Sequence, residues 1–154
     1  MNGRKTVFTP AFTLIELLIV MAILAILGAL AYPSYARHVV QARRIEAQLA
    51  LVDAMQLQEQ YRALHHTYVA FSANSGDNEA RRFRWWVGRD PARSAYEIDA
   101  YACAGRGIAE CVELRARPGT ANVDARFADP ECGALTVDSD GRQGAGGRSA
   151  RCWP

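Results

Sequence analysis

The chain has almost no lysine, no closely spaced cysteine pair and no set of residues typical of a catalytic centre. Lys5 is the only lysine, so nearly all of its 18 basic residues are arginines. There is no CxxC pair, no cysteine–histidine set at zinc spacing, no glycine-rich phosphate loop and no nucleophile–base pair. The sequence therefore predicts no enzyme, no bound metal and no cofactor.

The net charge is small and depends on the first residues. The formal charge is +2, with 18 basic against 16 acidic residues. Arg4 and Lys5 precede a long apolar run, and without them 16 charges of each sign remain. Basicity alone supports only non-specific attraction, so the overall composition does not indicate a nucleic-acid-binding protein.

All four cysteines, Cys103, Cys111, Cys132 and Cys152, lie in the C-terminal half. An even number in a small domain behind an apolar segment indicates two disulfides formed in an oxidising compartment, with buried free thiols as the alternative. Four cysteines allow three connectivities. We favour Cys103–Cys111 and Cys132–Cys152, because each pair brackets a turn-rich segment. Each loop closure is expected to contribute roughly 2.5–3.5 kcal/mol.

The N-terminus combines a short basic segment, residues 1–11, with an apolar run from Phe12 to Tyr32. As a helix the run would span roughly 31 Å, enough to cross a bilayer. It is too long for the apolar centre of an ordinary signal peptide. A plain membrane anchor fits the length but leaves Glu16 unexplained, since a carboxylate in such a segment is costly and therefore indicates a function.

The run Phe12-Thr13-Leu14-Ile15-Glu16 closely resembles the start of mature type IV pilins and type II secretion pseudopilins. The resemblance implies that a prepilin peptidase cuts between Ala11 and Phe12, and that the new N-terminus at Phe12 is methylated. The residue before the cut is usually glycine in that family, so Ala11 is a departure. The cut would place the Phe12 ammonium four residues from Glu16, on the same helix face. The resemblance further implies that Glu16 neutralises the N-terminal amine of a neighbouring subunit during assembly, and that Pro33 kinks the helix.

The resemblance and the residue pattern together predict an α+β, pilin-like fold. A long N-terminal helix, half membrane-spanning and half amphipathic, would pack on a small antiparallel β-sheet. The amphipathic half carries an apolar stripe expected to face inward: Ala47, Ala50, Ala54, Leu57, Tyr61, Leu64 and Tyr68. Strands are expected at 95–101, 111–117 and 134–138, followed by a flexible loop at 144–147. The predicted parts are a leader (1–11), a transmembrane and assembly helix (12–33), an amphipathic helix (34–68) and a globular β-rich domain (69–154).

Arginines alternate with aromatics in residues 81–86, which we call the Arg/Trp segment: Arg81, Arg82, Phe83, Arg84, Trp85 and Trp86. Such a pattern could hold DNA by charge and stacking. The sequence favours the simpler interpretation, in which the aromatics pack under the sheet while the arginines face water.

Within the family the chain is most similar to PilE-group minor pilins, through Tyr32-Pro33-Ser34-Tyr35, 43–47 and 61–68. This similarity implies a structural subunit of a type IV pilus, serving pilus biogenesis, twitching motility, adhesion or DNA uptake. Its implied partners are other pilin subunits, the prepilin peptidase and methyltransferase, and an inner-membrane assembly platform. The implied location is the bacterial inner membrane, with the C-terminal domain in the periplasm, and then the extracellular pilus. Two alternatives stay open: a DNA-binding minor pilin, and a type II secretion pseudopilin. The C-terminal disulfide loop argues against the latter, since pseudopilins more often bind calcium there.

Overall fold

The computed structural model describes residues 13–154 and divides them into two compact units, up to Val39 and from Val40 to Pro154. One helix, α1, runs from Leu14 to His65. It is followed by two short 3₁₀ turns, Ala80–Arg82 and Pro91–Arg93, and by four strands: β1 (Tyr96–Ala102), β2 (Val112–Pro118), β3 (Leu135–Asp138) and β4 (Gln143–Ala145). The predicted α+β architecture of a long helix with an antiparallel sheet is confirmed.

The N-terminal unit consists of the apolar part of α1. Its large apolar side chains are exposed, from Leu14 (77 % exposed) to Leu30 (73 %). The helix is long and apolar enough to cross a membrane, a property that core helices and signal sequences share. The helix is continuous through Pro33, and the kink proposed there stays a prediction.

The globular unit is built on an antiparallel meander in the order β1-β2-β3-β4. Tyr96 pairs with Pro118, and Glu113 pairs with Asp138, so each strand meets the next one in the chain. The inward residues of β1–β3 form one core with α1: Tyr96, Ile98, Ala100, Val112, Leu114, Ala116, Leu135 and Val137, against Ala47 and Leu51. The prediction of a flexible loop at 144–147 is wrong, because strand β4 begins this segment. A glycine-rich segment can pair in a sheet at positions that leave no room for a side chain. Gly144 illustrates this, because a Cβ there would stand 2.6 Å from Thr136 Oγ1.

The buried stripe of α1 differs from the predicted one. Leu57 and Leu64, expected to face inward, are 39 % and 77 % exposed. Leu51 and Gln58 are fully buried instead. Gln58 is tolerated in the core because its amide forms two hydrogen bonds with the backbone of Val69, donating to its carbonyl at 2.7 Å and accepting from its N–H at 2.9 Å.

Candidate functional site

The Arg/Trp segment lies in the connection between α1 and β1 and is fixed to the edge of β1. The 3₁₀ turn Ala80–Arg82 overlaps its start, and the Asp77 carboxylate accepts a hydrogen bond from the amide of Ala80 at 2.6 Å. Phe83 enters the core and stacks on Phe71 with ring centroids 5.1 Å apart. The carbonyl of Trp85 then accepts a hydrogen bond from the amide of Ile98 at 2.7 Å. The segment is therefore held in place at both ends by the core and the sheet.

The side chains of this segment divide between core and surface. Phe83 is buried, Trp85 and Trp86 are half-buried, and Arg81, Arg82 and Arg84 are exposed. The two indoles meet edge to face, with centroids 5.1 Å apart. The packing predicted for the aromatics thus holds for Phe83, whereas both tryptophans also line surface grooves.

The arginines of the α1–β1 connection differ from most others in having few acidic partners. Among residues 13–154, Arg81, Arg84, Arg89 and Arg93 form no ion pair with a carboxylate, and Arg82 reaches only the exposed Glu79, at 3.5 Å. Most arginines after residue 100 do form ion pairs: Arg106, Arg115, Arg117, Arg126, Arg142 and Arg151. Of the seven arginines among residues 13–154 that form no ion pair, four lie in this one connection, and the others are Arg37, Arg62 and Arg148.

Arg84 is held by two neighbouring groups. Its guanidinium lies over the Trp86 ring, 5.6 Å from the centroid, and its Nη1 donates to the carbonyl of Gly88 at 3.2 Å. Gly88 has φ +84°, a conformation that glycine adopts readily. Neither neighbour carries a negative charge, so the cation stays available for an external anion.

A buried ion pair joins α1 to the C-terminal loop, and no sequence pattern predicted it. Arg44 is not part of the apolar stripe predicted from the sequence, yet it is only 5 % exposed. Its Nε and Nη2 each donate to one carboxylate oxygen of Asp129 at 2.8 Å, and Nη2 also reaches Glu131 at 3.0 Å. Tyr96 donates its hydroxyl to Asp129 at 2.7 Å, and the amide of Cys132 donates at 3.0 Å. The partner lies 85 residues away in the chain, so no local pattern signals it.

The ionisation of this cluster follows from its hydrogen bonds. Burial alone would raise the pKa of Asp129, but hydrogen bonds from Arg44, Tyr96 and the Cys132 amide hold it below its usual value. The hydrogen bonds to Asp129 raise the pKa of Arg44. Burial, together with the same carboxylate, raises the pKa of Tyr96. The charged form of the pair is therefore the stable one.

The globular unit contains two disulfides. The structure joins Cys103 to Cys111 and Cys132 to Cys152, the two pairs favoured from the sequence, with Cα atoms 5.4 and 5.5 Å apart. The second bridge lies beside Asp129, and the Cys152 carbonyl accepts a hydrogen bond from Gln48 of α1 at 2.7 Å. The C-terminal loop is thus attached to the helix as well as to itself.

The two bridged cysteines Cys103 and Cys111 also lie close to Asp138, in the one group of possible metal ligands found among residues 13–154. Since both sulfurs are in the disulfide, they offer no thiolate to a metal.

The predicted assembly residues fall at the start of α1. Ala11 and Phe12 lie outside the described residues, so their processing stays a prediction. Glu16 lies in the first turn, and its amide donates to the Thr13 hydroxyl at 3.3 Å. Thr13 and Glu16 thus occupy the spacing of a capping box, which starts the helix at the motif itself. A negative side chain in the first turn also complements the helix dipole.

Two protein-family models match the chain, one over its N-terminal apolar run and one over most of the residues that follow. Residues 11–32 match the prokaryotic N-terminal methylation motif, which marks proteins with a prepilin-type leader. Residues 33–136, about two thirds of the chain, match the family described as "Type IV minor pilin ComP, DNA uptake sequence receptor". The chain therefore belongs to this family and is a minor type IV pilin. Pilins are structural proteins, and the motif with its apolar helix fits anchoring in a membrane before entry into a pilus.

Solved structures of pilins resemble the chain at low identity. A type IV pilin from Shewanella oneidensis is 24 % identical, with a TM-score of 0.46 over 75 % of this chain and 98 % of its own. The non-core minor pilin PilV from Neisseria meningitidis is 16 % identical, with a TM-score of 0.47 over 75 % of this chain and 94 % of its own. A comparison with curated proteins finds no match.

Proposed function

We propose that this minor pilin binds DNA through the arginine-rich α1–β1 connection, and so contributes to DNA uptake by a type IV pilus. The observation that carries the proposal is the set of four arginines without carboxylate partners: Arg81, Arg84, Arg89 and Arg93. The family to which the chain belongs is described as a DNA uptake sequence receptor, which supports the same function. The two half-buried tryptophans add aromatic surface beside these charges.

The proposal predicts a strong dependence on salt. Each arginine that neutralises a phosphate contributes about −0.9 to the slope of log affinity against log salt. Four such contacts give a slope of about −3.6, which corresponds to a loss of about 150-fold between 50 and 200 mM salt. An arginine already paired with carboxylates should contribute far less.

The matching experiment compares Arg84→Gln with Arg142→Gln in the mature full-length protein in detergent micelles. Arg142 is exposed but pairs with Asp138 and Asp140, so it is the control for general loss of positive charge. Fluorescence anisotropy with labelled duplex DNA should show weaker binding and a slope less negative by about 0.9 for Arg84→Gln, and little change for Arg142→Gln. The combination Arg82→Ala with Trp85→Ala should weaken binding further. Equal effects of the two single variants, or no binding by the wild type at low salt, would refute the proposal.

We also propose that the subunit reaches the filament by the route that its leader motif implies. Prepilin peptidase would cut between Ala11 and Phe12, Phe12 would be methylated, and Glu16 would pair with a neighbouring N-terminal amine. The inner-membrane assembly platform would then insert the subunit among other pilins, with the globular unit first in the periplasm and later outside the cell. Pro33 would let the helix bend in the process.

N-terminal mass analysis of sheared filaments tests this route. A start at methylated Phe12 is expected in the wild type. Glu16→Gln should be processed in the same way but be depleted from the sheared fraction, because the amide cannot neutralise the amine. Thr13→Ala is a matched control, since it removes only the helix cap. Entry of Glu16→Gln into filaments at the wild-type level contradicts the pairing role.

A further inference from the structure

The indole N–H of Trp86 is an exception to the hydrogen bonding of the protein. Among residues 13–154 it is the one buried side-chain nitrogen or oxygen that has no hydrogen-bond partner. Buried polar groups are almost always paired, so an unpaired one in a native protein requires an explanation. Its position next to Arg84, inside the proposed DNA-binding surface, suggests that the partner comes from outside the chain.

The backbone around Trp86 prevents the indole from easily finding an acceptor within the protein. Trp86 forms a bridge with Glu97 at the edge of β1. The residues before and after it are also held, through the bond from Ile98 to the Trp85 carbonyl at 2.7 Å and the bond from the Val87 amide to Ser94 Oγ at 2.9 Å. The indole N–H of Trp86 is therefore unpaired because the backbone on both sides of Trp86 is held in place.

Two grooves border Trp86, and their charges differ. The first, which we call the arginine groove, has a volume of about 440 Å³ and is lined by Ser72, Ser75, Ala80 and residues 81–86. Its charged side chains are all arginines. The second, of about 360 Å³, is bordered by α1 and includes the carboxylate of Asp53. The second groove is also lined by Arg82 and Arg84, so one carboxylate there faces two arginines, whereas the arginine groove has three arginines and no carboxylate. An anion is therefore favoured more strongly in the arginine groove.

We propose that Trp86 Nε1 donates a hydrogen bond to a phosphate oxygen of bound DNA in the arginine groove, on the same phosphate that the Arg84 guanidinium contacts. The inference rests on the proposed DNA-binding function. The nitrogen is shielded in the free protein, and the side chain that lies over its ring belongs to the exposed Arg84. When Arg84 turns to a phosphate it uncovers the indole, so that the neutral donor and the cation act together on one anion.

The test removes the hydrogen-bond donor of residue 86, in one variant without changing the shape of the ring. Benzothienylalanine at position 86 exchanges the indole N–H for sulfur, and Trp86→Phe is a second variant that lacks the donor. Trp153→Phe is the control, because Trp153 lies outside the arginine groove and its indole N–H already donates to the Gly144 carbonyl at 2.8 Å. All are compared as mature full-length protein in detergent micelles, with thermal unfolding measured to verify the fold, on two duplexes of unrelated sequence.

We expect both Trp86 variants to bind about tenfold or more weakly, because a hydrogen bond to a charged phosphate is stronger than one between neutral groups. The loss should be the same on both duplexes, and the salt slope should stay at the wild-type value because no charge is removed. In ¹⁵N-labelled wild type, the Trp86 indole proton should shift downfield when duplex DNA is added.

Three results separate this inference from the proposed function. If the benzothienyl variant binds DNA within twofold of the wild type, the inference is overturned and the indole has a structural role. That result does not affect the proposed binding of DNA by the arginines. A loss confined to one duplex also overturns it, because the contact would then be to a base. Absence of DNA binding by the wild type would overturn the proposed function and the inference together.

Discussion

The buried ion pair between Arg44 and Asp129 gives a sharp test of how the helix holds the C-terminal loop. Arg44→Gln removes the charge and both bonds to Asp129 and leaves a shorter, neutral polar side chain. The carboxylate then stays buried with only Tyr96 and the Cys132 amide as donors. Breaking one partner of a buried pair costs about 3–5 kcal/mol, because the remaining charge is not compensated.

The expected shift in melting temperature follows from the size of the globular unit. With about 2.1 cal/mol/K of unfolding entropy per residue, a unit of this size loses about 4 °C per kcal/mol, so the variant should melt about 12–20 °C below the wild type. Arg43→Gln is the adjacent control, because Arg43 forms only an exposed pair with Glu46. That pair is worth less than about 0.5 kcal/mol.

Near-ultraviolet circular dichroism of the full chain in micelles reports the packing of the globular unit through its tryptophans. It is therefore preferable to the far-ultraviolet signal, to which the apolar part of α1 contributes. If Arg44→Gln melts within about 2 °C of Arg43→Gln, the pair does not hold the loop and the reasoning fails.

Two further predictions concern the same region. Removing the Cys132–Cys152 bridge should cost about 3.3 kcal/mol of stability, and removing Cys103–Cys111 about 2.5 kcal/mol, because the bridges close loops of 20 and 8 residues. Thermal melting of paired Cys→Ala variants measures both losses. The opposite ranking would contradict the loop-entropy argument. Because the pKa of Asp129 is lowered in the folded state, its contribution to the free energy of unfolding is complete above the unfolded-state pKa of about 3.9. That contribution is lost as the pH falls below this value. Melting temperatures should therefore fall less below pH 4 for Asp129→Asn than for the wild type, and parallel pH profiles would count against this assignment.

Much of the site could be anticipated from the sequence, because its signals are local. The Arg/Trp segment is contiguous in the chain, so its interleaved charges and rings were visible without a structure. Which arginines stay unneutralised was not visible. Arg117, for example, pairs with Asp99 from 18 residues away at 2.7 Å, and the orphan N–H of Trp86 depends on what surrounds it in space.

The sequence by itself determined the long helix, the membrane-length apolar run, the leader motif and three of the four strands. These depend on periodicity, length and neighbouring residues, all of which are properties of short stretches of chain. Only the tertiary structure decided that Arg44 and Gln58 face the core while Leu57 and Leu64 face outward, and that Gln143–Ala145 pairs as β4. The physical reason is that a polar group can be buried, or a glycine-rich segment ordered, only where the folded chain brings up a partner that completes its hydrogen bonds, as Asp129 does for Arg44 and Val69 for Gln58.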